Sequence, residues 1–587
     1  MAGLSPASSI PSSPGDGGAY ARIVNAWRID RSHWPLVILV LVLGFMVLYP
    51  IGAVVINSML PDSTFAGMGM GVWAAAFSEP GMVEAITNTF KVVVMTQGTS
   101  LPIAIFIAWM LARTNIPFSR WIEFGFWVLF FLPSLGVTTG WLLLFDPDYG
   151  LVNKWLVGLG LFETSPFSLY SFGGIVFAHL TTYSIAVKVM LLTPAFRNLD
   201  GAIEEASRIC GASALTTLVR VVIPIMVPAI LVVGLMGIIH GLEAFEIELF
   251  LGTPFGFNVF STKIYLLLAE EPAQYAKAGV MATSILLFML PLIILQRWAS
   301  TRRSYAVVTG RSSASLTELG RWRLPAFVVL MTIVLCMSLL PLGLLVTGSF
   351  MNLFGFFHLE KLWTLDHWRH ALSDVTFVTG FWNMIKLGLG TALFAVFIYS
   401  IVAYCTVRLK SRWQAPLDIL TWLPLAIPGI ILGFGYLFMV LQVPVFRPLY
   451  GTMGVLILVG FLASMTLGVQ MIKVHMLQLG AEVEEAGRVV GGSWVRTFRS
   501  IITPLTVPAM AVVGVLVFAS AIRQVGSIIL LSTGETRVLS ILQLEFLTEG
   551  MLGPAAVIGA VIVLISLIAA TIVRVISVRF GVQTRGG

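Results

Sequence analysis

Charge is scarce in this chain. Asp, Glu, Lys and Arg make up 11% of 587 residues, and hydrophobic residues make up 58%. A soluble domain carries about 25% charged residues, so soluble classes are excluded for most of the length. Cysteine is scarcer still: Cys210, Cys336 and Cys405 are scattered, which excludes a disulfide framework and a cysteine metal site. They read as small hydrophobes. There is no G-x-x-x-x-G-K-[ST] loop, so the chain does not hydrolyse ATP by that route, and no H-E-x-x-H or G-x-S-x-G motif. The seven histidines form no ligand cluster, and His367 and His370, three apart, read as a solvated loop rather than a metal site. Net charge is +7, but no basic run is interleaved with aromatics, and nucleic acid is not an expected partner.

What is present is apolar sequence in long runs. Mean hydropathy is +0.94, the mark of a polytopic membrane protein. Residues 1–33 are rich in Ser, Pro, Gly and Ala and are expected to be a disordered tail. Trp34 to Ile56 is too long for a signal-peptide core and no small-residue cleavage site follows, so it reads as an uncleaved first span. Further runs of spanning length lie near 86–112, 121–145, 171–195, 222–247 and 278–297. A basic linker, 298–323, leads to runs near 324–349, 381–407, 416–442, 451–475, 504–530 and 553–577. The expectation is an all-α membrane protein of about twelve transmembrane helices, six in 34–297 and six in 324–578, with a short tail at 579–587.

The halves repeat. Glu204 to Ile230 returns 280 residues later as Glu484 to Met510, with Glu204, Glu205, Ala206, Arg208, Gly211, Ser213, Pro224, Val227, Pro228 and Ala229 matched. Such a match marks one module present twice. Each copy reads as a helical elbow before a span. Glu204 and Arg208, like Glu484 and Arg488, are spaced to support a helix and are expected to face water. Gly211 and Gly491 suit a helix stop, Ser213 and Ser493 an N-cap, and Pro224 and Pro504 the start of an apolar helix. Outside the elbows, Pro50 matches Pro341 at an offset of 291, and Asn88, Lys91, Arg113 and Pro133 match Asn383, Lys386, Arg408 and Pro428 at 295. The first half therefore holds about fifteen extra residues, placed around 146–168. Six is even, so the halves enter the membrane alike and are related by an axis along its normal.

The elbows resemble the EAA motif of ABC-transporter permeases: Glu205, Ala206, Gly211, Ile223 and Pro224 in one copy, and Glu485, Ala486, Gly491, Thr503 and Pro504 in the other. Ser207 and Gly487 depart from the second alanine, and Thr503 from the residue before the proline. Two such modules in one chain resemble the type I permeases of bacterial binding-protein-dependent ABC importers, of the ferric-iron and thiamine group. Leu242-Glu-Ala-Phe-Glu followed by Leu251-Gly252 is the cue for that group, and polyamine and phosphonate permeases are the alternatives. The resemblance implies that Glu204, Glu205, Ala206, Arg208, Gly211, Glu484, Glu485, Ala486, Arg488 and Gly491 couple to two cytoplasmic ATPase subunits. ATP-Mg would sit on those subunits, with no cofactor on this chain, and a periplasmic binding protein would deliver the cargo. It also implies alternating access in an inner membrane. Arginine-rich loops after the second span and at both elbows put those loops and both termini in the cytoplasm.

Intramembrane charge defaults to function. Glu243 and Glu246 lie at the end of the fifth span and Arg523 and Gln524 at the end of the eleventh, with Glu243 and Arg523 at equivalent positions. They are expected to line the pathway, Glu243 facing Arg523 across the pseudo-two-fold axis. A proton-coupled secondary transporter is the rival class. It is opposed by elbows lying within each half and by the shortage of paired ionisable residues.

Overall fold

A computed structural model describes residues 34–61, 69–302, 316–409, 411–480, 482–489 and 494–579. The tail at 1–33, the middle of the linker, Gly491 and Ser493, and the side chain of Arg488 lie outside the described residues. The first module runs α1 (Trp34–Asn57), α2 (Gly71–Phe77), α3 (Met82–Arg113), α4 (Ser119–Phe131), α5 (Ser134–Phe145), α6 (Leu151–Gly158), α7 (Phe172–Arg197), α8 (Gly201–Ile209), α9 (Ala214–Leu242), α10 (Phe260–Ala269) and α11 (Tyr275–Arg302). The second runs α12 (Gly320–Ser349), α13 (Asp366–Ser373), α14 (Val375–Arg408), α15 (Gln414–Leu425), α16 (Gly429–Gln442), α17 (Met453–Gln478), α18 (Glu482–Val489), α19 (Phe498–Ala521), α20 (Leu539–Thr548) and α21 (Leu552–Arg579). No strand occurs among the described residues, so the all-α polytopic reading stands.

Among the described residues ten helices are long and apolar enough to cross a membrane, and two further pairs qualify only as bent spans. α4 and α5 meet at 103°, and α15 and α16 at 112°. The cause is the matched prolines, Pro133 and Pro428. Proline has no N–H to donate and disfavours helix at the residue before it. Leu132 and Ile427 are accordingly extended. Each pair still crosses from one face to the other. Glu123 near the start of α4 pairs with Arg197 at the end of α7, while Phe145 at the end of α5 packs on Phe177 near the start of α7. Asp418 in α15 likewise takes Lys473 near the end of α17. Counted this way the spans among the described residues are twelve.

Two expected spans end early. The runs at 222–247 and 504–530 break at Leu242 and Ala521, where the charged stretches begin, and the first resumes as a short helical segment through Glu248–Gly252. The chain then folds back into α10 and α20, ten residues each and too short to cross. Asn88 and Asn383 pin these returns. Asn88 Nδ2 donates to the Asn258 carbonyl at 3.2 Å, and Asn383 Nδ2 to Glu535 and Arg537 carbonyls at 2.7 and 3.1 Å.

The first span of each module packs on the other module. α1 lies along α16 and α12 along α5. Both contacts bring backbone against backbone at a glycine. A Cβ on Gly140 would stand 2.0 Å from the Pro341 carbonyl oxygen, and one on Gly435 2.6 Å from that of Pro50. The hydroxyl of Tyr436 also donates to the Met46 carbonyl at 2.8 Å. The close fit is of the small-residue kind that lets helices associate in lipid, where apolar burial alone gives no preference.

Candidate coupling elbows and membrane pathway

The first elbow is built by local chemistry. Asp200 accepts from the Ala202 N–H at 3.0 Å and caps α8. Gly211, at φ +82, closes the helix with the left-handed turn that favours glycine, and the Ala212 N–H reaches back to the Ser207 carbonyl. Ser213 then caps the next turn through the Thr216 N–H at 3.2 Å. That turn and the apolar span are one helix, joined by a wide π turn at Leu218–Val222. Pro224 follows the π turn, and Pro504 follows an identical one at Phe498–Ile502. A proline that cannot donate leaves a carbonyl one turn back, and the widened turn accommodates it.

The elbow glutamates do not face water as expected. Glu204 turns inward, and its Oε1 takes Arg113 Nε at 2.7 Å with 2% and 0% of the two side chains exposed. Arg113 also donates to the Leu199 carbonyl at 3.1 Å. The second elbow repeats the plan. Arg408 donates to the Leu479 carbonyl at 2.6 Å and stands 3.7 Å from Glu484, whose other oxygen accepts from the Tyr404 hydroxyl at 2.6 Å. The reason is position: the end of α3, or of α14, lies directly behind the elbow, and its arginine needs an anion. Thus Glu204 and Glu484 tie the elbow to the second span of their module, and Arg208 instead reaches the Glu204 carbonyl at 3.4 Å.

Glu205, Ala206, Glu485 and Ala486 form the exposed face. Beside them stand two residues the sequence reading passed over, Ile209 and Val489, 87% and 88% exposed. The signal was available: an apolar residue recurs one turn after Glu205 and after Glu485. A bare aliphatic tip between a carboxylate and an alanine is a surface suited to a partner.

The polar residues after the fifth and eleventh spans converge, but not in the expected pair. Glu243 Oε2 lies 3.1 Å from His240 Nδ1 of its own module. Arg523 Nη1 donates to the carbonyls of Phe130 and Leu132 at 2.9 and 3.3 Å, and its Nε to Ala519 at 2.8 Å. The carbonyls freed at the α4–α5 break draw the guanidinium away from Glu243. The two remain linked by aromatic rings: Arg523 sits over Phe130 at 6.0 Å, Phe130 lies 6.1 Å from Tyr183, and Tyr183 lies 5.6 Å from His240. Glu246 accepts from the Ser134 hydroxyl at 2.7 Å. The Gln524 side-chain oxygen is buried with no partner among the described residues, and the Gln524 carbonyl accepts from Ser540 at 3.1 Å. Sequence reading missed His179 and Lys188, a histidine and a lysine inside an apolar run. His179 Nε2 meets the fully buried Glu248 at 2.6 Å, and Lys188 donates to the Ser184 carbonyl at 3.0 Å. Among the described residues no group of three or more ligating side chains could hold a metal ion.

No family model matches the chain. It is 27% identical over 402 residues to the ferric transport system permease protein FbpB of Actinobacillus pleuropneumoniae, a match covering 68% of this chain and 57% of that protein. It is 26% identical over 370 residues to the probable ABC transporter permease protein y4fN of Sinorhizobium fredii, covering 60% and 62%. A shorter stretch of 148 residues is 30% identical to the putative 2-aminoethylphosphonate transport system permease protein PhnU of Salmonella typhi, covering 25% and 50%. The chain thus spans between half and two thirds of the length of these relatives. With two matched elbows, each tied to a membrane span, the chain is similar to the permease subunits of binding-protein-dependent ABC importers, the ferric-transport type among them.

Proposed function

We propose that this chain is the transmembrane permease of an ATP-driven importer, most specifically for ferric iron. The observation that carries the reading is the repeated elbow. Each presents a carboxylate, an alanine and a bare aliphatic side chain on its outer face, and each is tied behind by an arginine to the second span. A push on the outer face is thereby passed into the module. Two cytoplasmic ATPase subunits, each holding ATP-Mg, would dock on Glu205, Ala206 and Ile209 and on Glu485, Ala486 and Val489. Gly211 and Gly491 would set the turn, with Arg208 and Arg488 beside it. Closure on ATP would draw the elbows together and rock the modules between inward-open and outward-open states. A periplasmic binding protein would deliver cargo to the opposite face. Glu243, Glu246, Arg523 and Gln524 would line the pathway, in an inner membrane with both chain termini in the cytoplasm.

Iron as cargo rests on the name of the FbpB relative, and a phosphonate is the second reading, since PhnU is similar over a shorter stretch. The test is co-purification of the tagged chain from its native membrane, then uptake in vesicles. Recovery of a P-loop ATPase, lost on joint Glu205→Lys and Glu485→Lys substitution, supports the importer. Uptake of ferric ion but not 2-aminoethylphosphonate supports the cargo. Uptake that survives ATP depletion and follows a proton gradient would overturn the reading in favour of a secondary transporter.

A further inference from the structure

The two broken spans are held in different ways. At the first, between α4 and α5, the chain turns through 103° at Leu132–Pro133. A break of this kind frees carbonyls at the end of one helix and leaves the positive end of the next. Both ends here meet a charge of the fitting sign. The C-terminal carbonyls of Phe130 and Leu132 accept from Arg523, which belongs to the other module. The N-terminal turn of α5 meets Glu246, which takes the Ser134 hydroxyl at 2.7 Å. Phe245, next to Glu246, packs on Gly526, three residues beyond Arg523, so the two halves of the clasp meet across the module boundary.

At the second break, between α15 and α16, the equivalent positions carry other residues. Glu243 stands where Arg523 would be and Gly526 where Glu246 would be. The contacts on the first turns of α16 are backbone on backbone within one module. A Cβ on Gly433 would lie 2.5 Å from the Ser527 carbonyl oxygen, and one on Gly429 3.3 Å from the Ser527 nitrogen. Contacts of that kind leave no side chain that could swing away, whereas a guanidinium and a carboxylate can both change partners.

We propose that the α4–α5 break is the moving gate of the membrane pathway, latched across the modules by Arg523 and Glu246, while the α15–α16 break is a fixed wall. The word gate rests on the transport reading; the latch does not. Arg523 is a positioning residue here, acting through the carbonyls it caps. Its release would free Phe130 and Leu132 and let α4 and α5 re-angle about Pro133.

Hydrogen–deuterium exchange on the full chain in lipid nanodiscs tests this without ATP, partner or cargo. Arg523→Met removes the charge-assisted bonds and should speed exchange across residues 129–137 by about tenfold, while residues 424–432 change by less than about twofold. Arg523→Lys, which keeps the charge but not the fork, should fall between wild type and Arg523→Met. Glu246→Gln should act mainly on 134–137. Exchange unchanged at 129–137, or equal acceleration in both segments, overturns the latch. Should Arg523→Met not fold, Arg523→Lys and Glu246→Gln carry the same comparison, and equal acceleration there overturns it too. A flat exchange result would leave the transport reading standing, and failed uptake would leave the latch standing.

Discussion

In the first elbow Glu204 is sealed against Arg113 at 2.7 Å, with both side chains almost fully buried. In the second, Arg408 stands 3.7 Å from Glu484, 15% of its side chain is open, and Tyr404 supplies a further hydrogen bond. The backbone plan is one plan, down to the Leu199 and Leu479 carbonyls that receive the two arginines. The side-chain chemistry has diverged, from a lone ion pair to a shared one. The loops after the fifth and eleventh spans diverge further: the first carries carboxylates where the second carries Arg523 and Gly526. The repeat preserves what shapes the backbone and varies the side chains laid on it.

Substitutions can break or sharpen that comparison. Glu204→Gln leaves Arg113 charged, buried and without an anion, and should cost about 3–5 kcal/mol of stability. Glu484→Gln should cost less, about 1–2 kcal/mol, because Arg408 is partly open and keeps its carbonyls. Thermal melting of the purified protein in detergent reads both, and equal losses would show that the elbows are energetically alike. Next come the glycines at the exchanged spans. Gly140→Ala should destabilise by about 1–3 kcal/mol and more than Gly435→Ala, since its Cβ meets Pro341 more closely; the reverse order in melting would mean α12 yields more readily than α1. Removing the Tyr404 hydroxyl with Tyr404→Phe should cost about 1 kcal/mol in wild type and less once Glu484 is already Gln. Additive losses in that double-mutant cycle would separate the tyrosine from the elbow.

The smallest effect is a pH effect at the opposite face. Glu79, before α3, pairs with Lys277 at 2.6 Å, and the hydrogen bond from Lys277 holds its carboxyl below the ordinary 4.5. The tie therefore adds stability above that ordinary value and loses it as pH falls through the depressed one. In the second module Asp374 holds the matching position and caps α14 through the Thr376 N–H at 2.6 Å instead. Lys277→Met should flatten the acid side of the melting profile slightly, by under about 1 kcal/mol. An unchanged profile would mean the Glu79 pair is not coupled to folding.

Much of this was legible in the sequence, for identifiable reasons. Apolar runs reveal spans because lipid demands them, and Gly211, Ser213 and the prolines reveal turns because their backbone chemistry is local. The matched Pro133 and Pro428 were visible as a pair, but a hydropathy run has no angle in it, so the breaks were read as straight spans. Glu204 was read as solvated because helix spacing shows only neighbours on its own helix, and Arg113 arrives from another. The Glu243–Arg523 pair followed from repeat symmetry, which cannot register that a broken helix offers Arg523 better acceptors. α10 and α20 fall between the expected spans, because ten apolar residues are too few to register as a crossing run.

The exchange of first spans bears on how the chain is made. Tyr436 bonds to Met46 across 390 residues of sequence. Synthesis proceeds at about 5–20 residues per second, so α1 waits on the order of twenty seconds to more than a minute for α16 to emerge. During that interval its face around Met46 and Pro50 must lie against lipid or against the insertion machinery. The first half therefore leaves the ribosome unfinished, and the second half completes it.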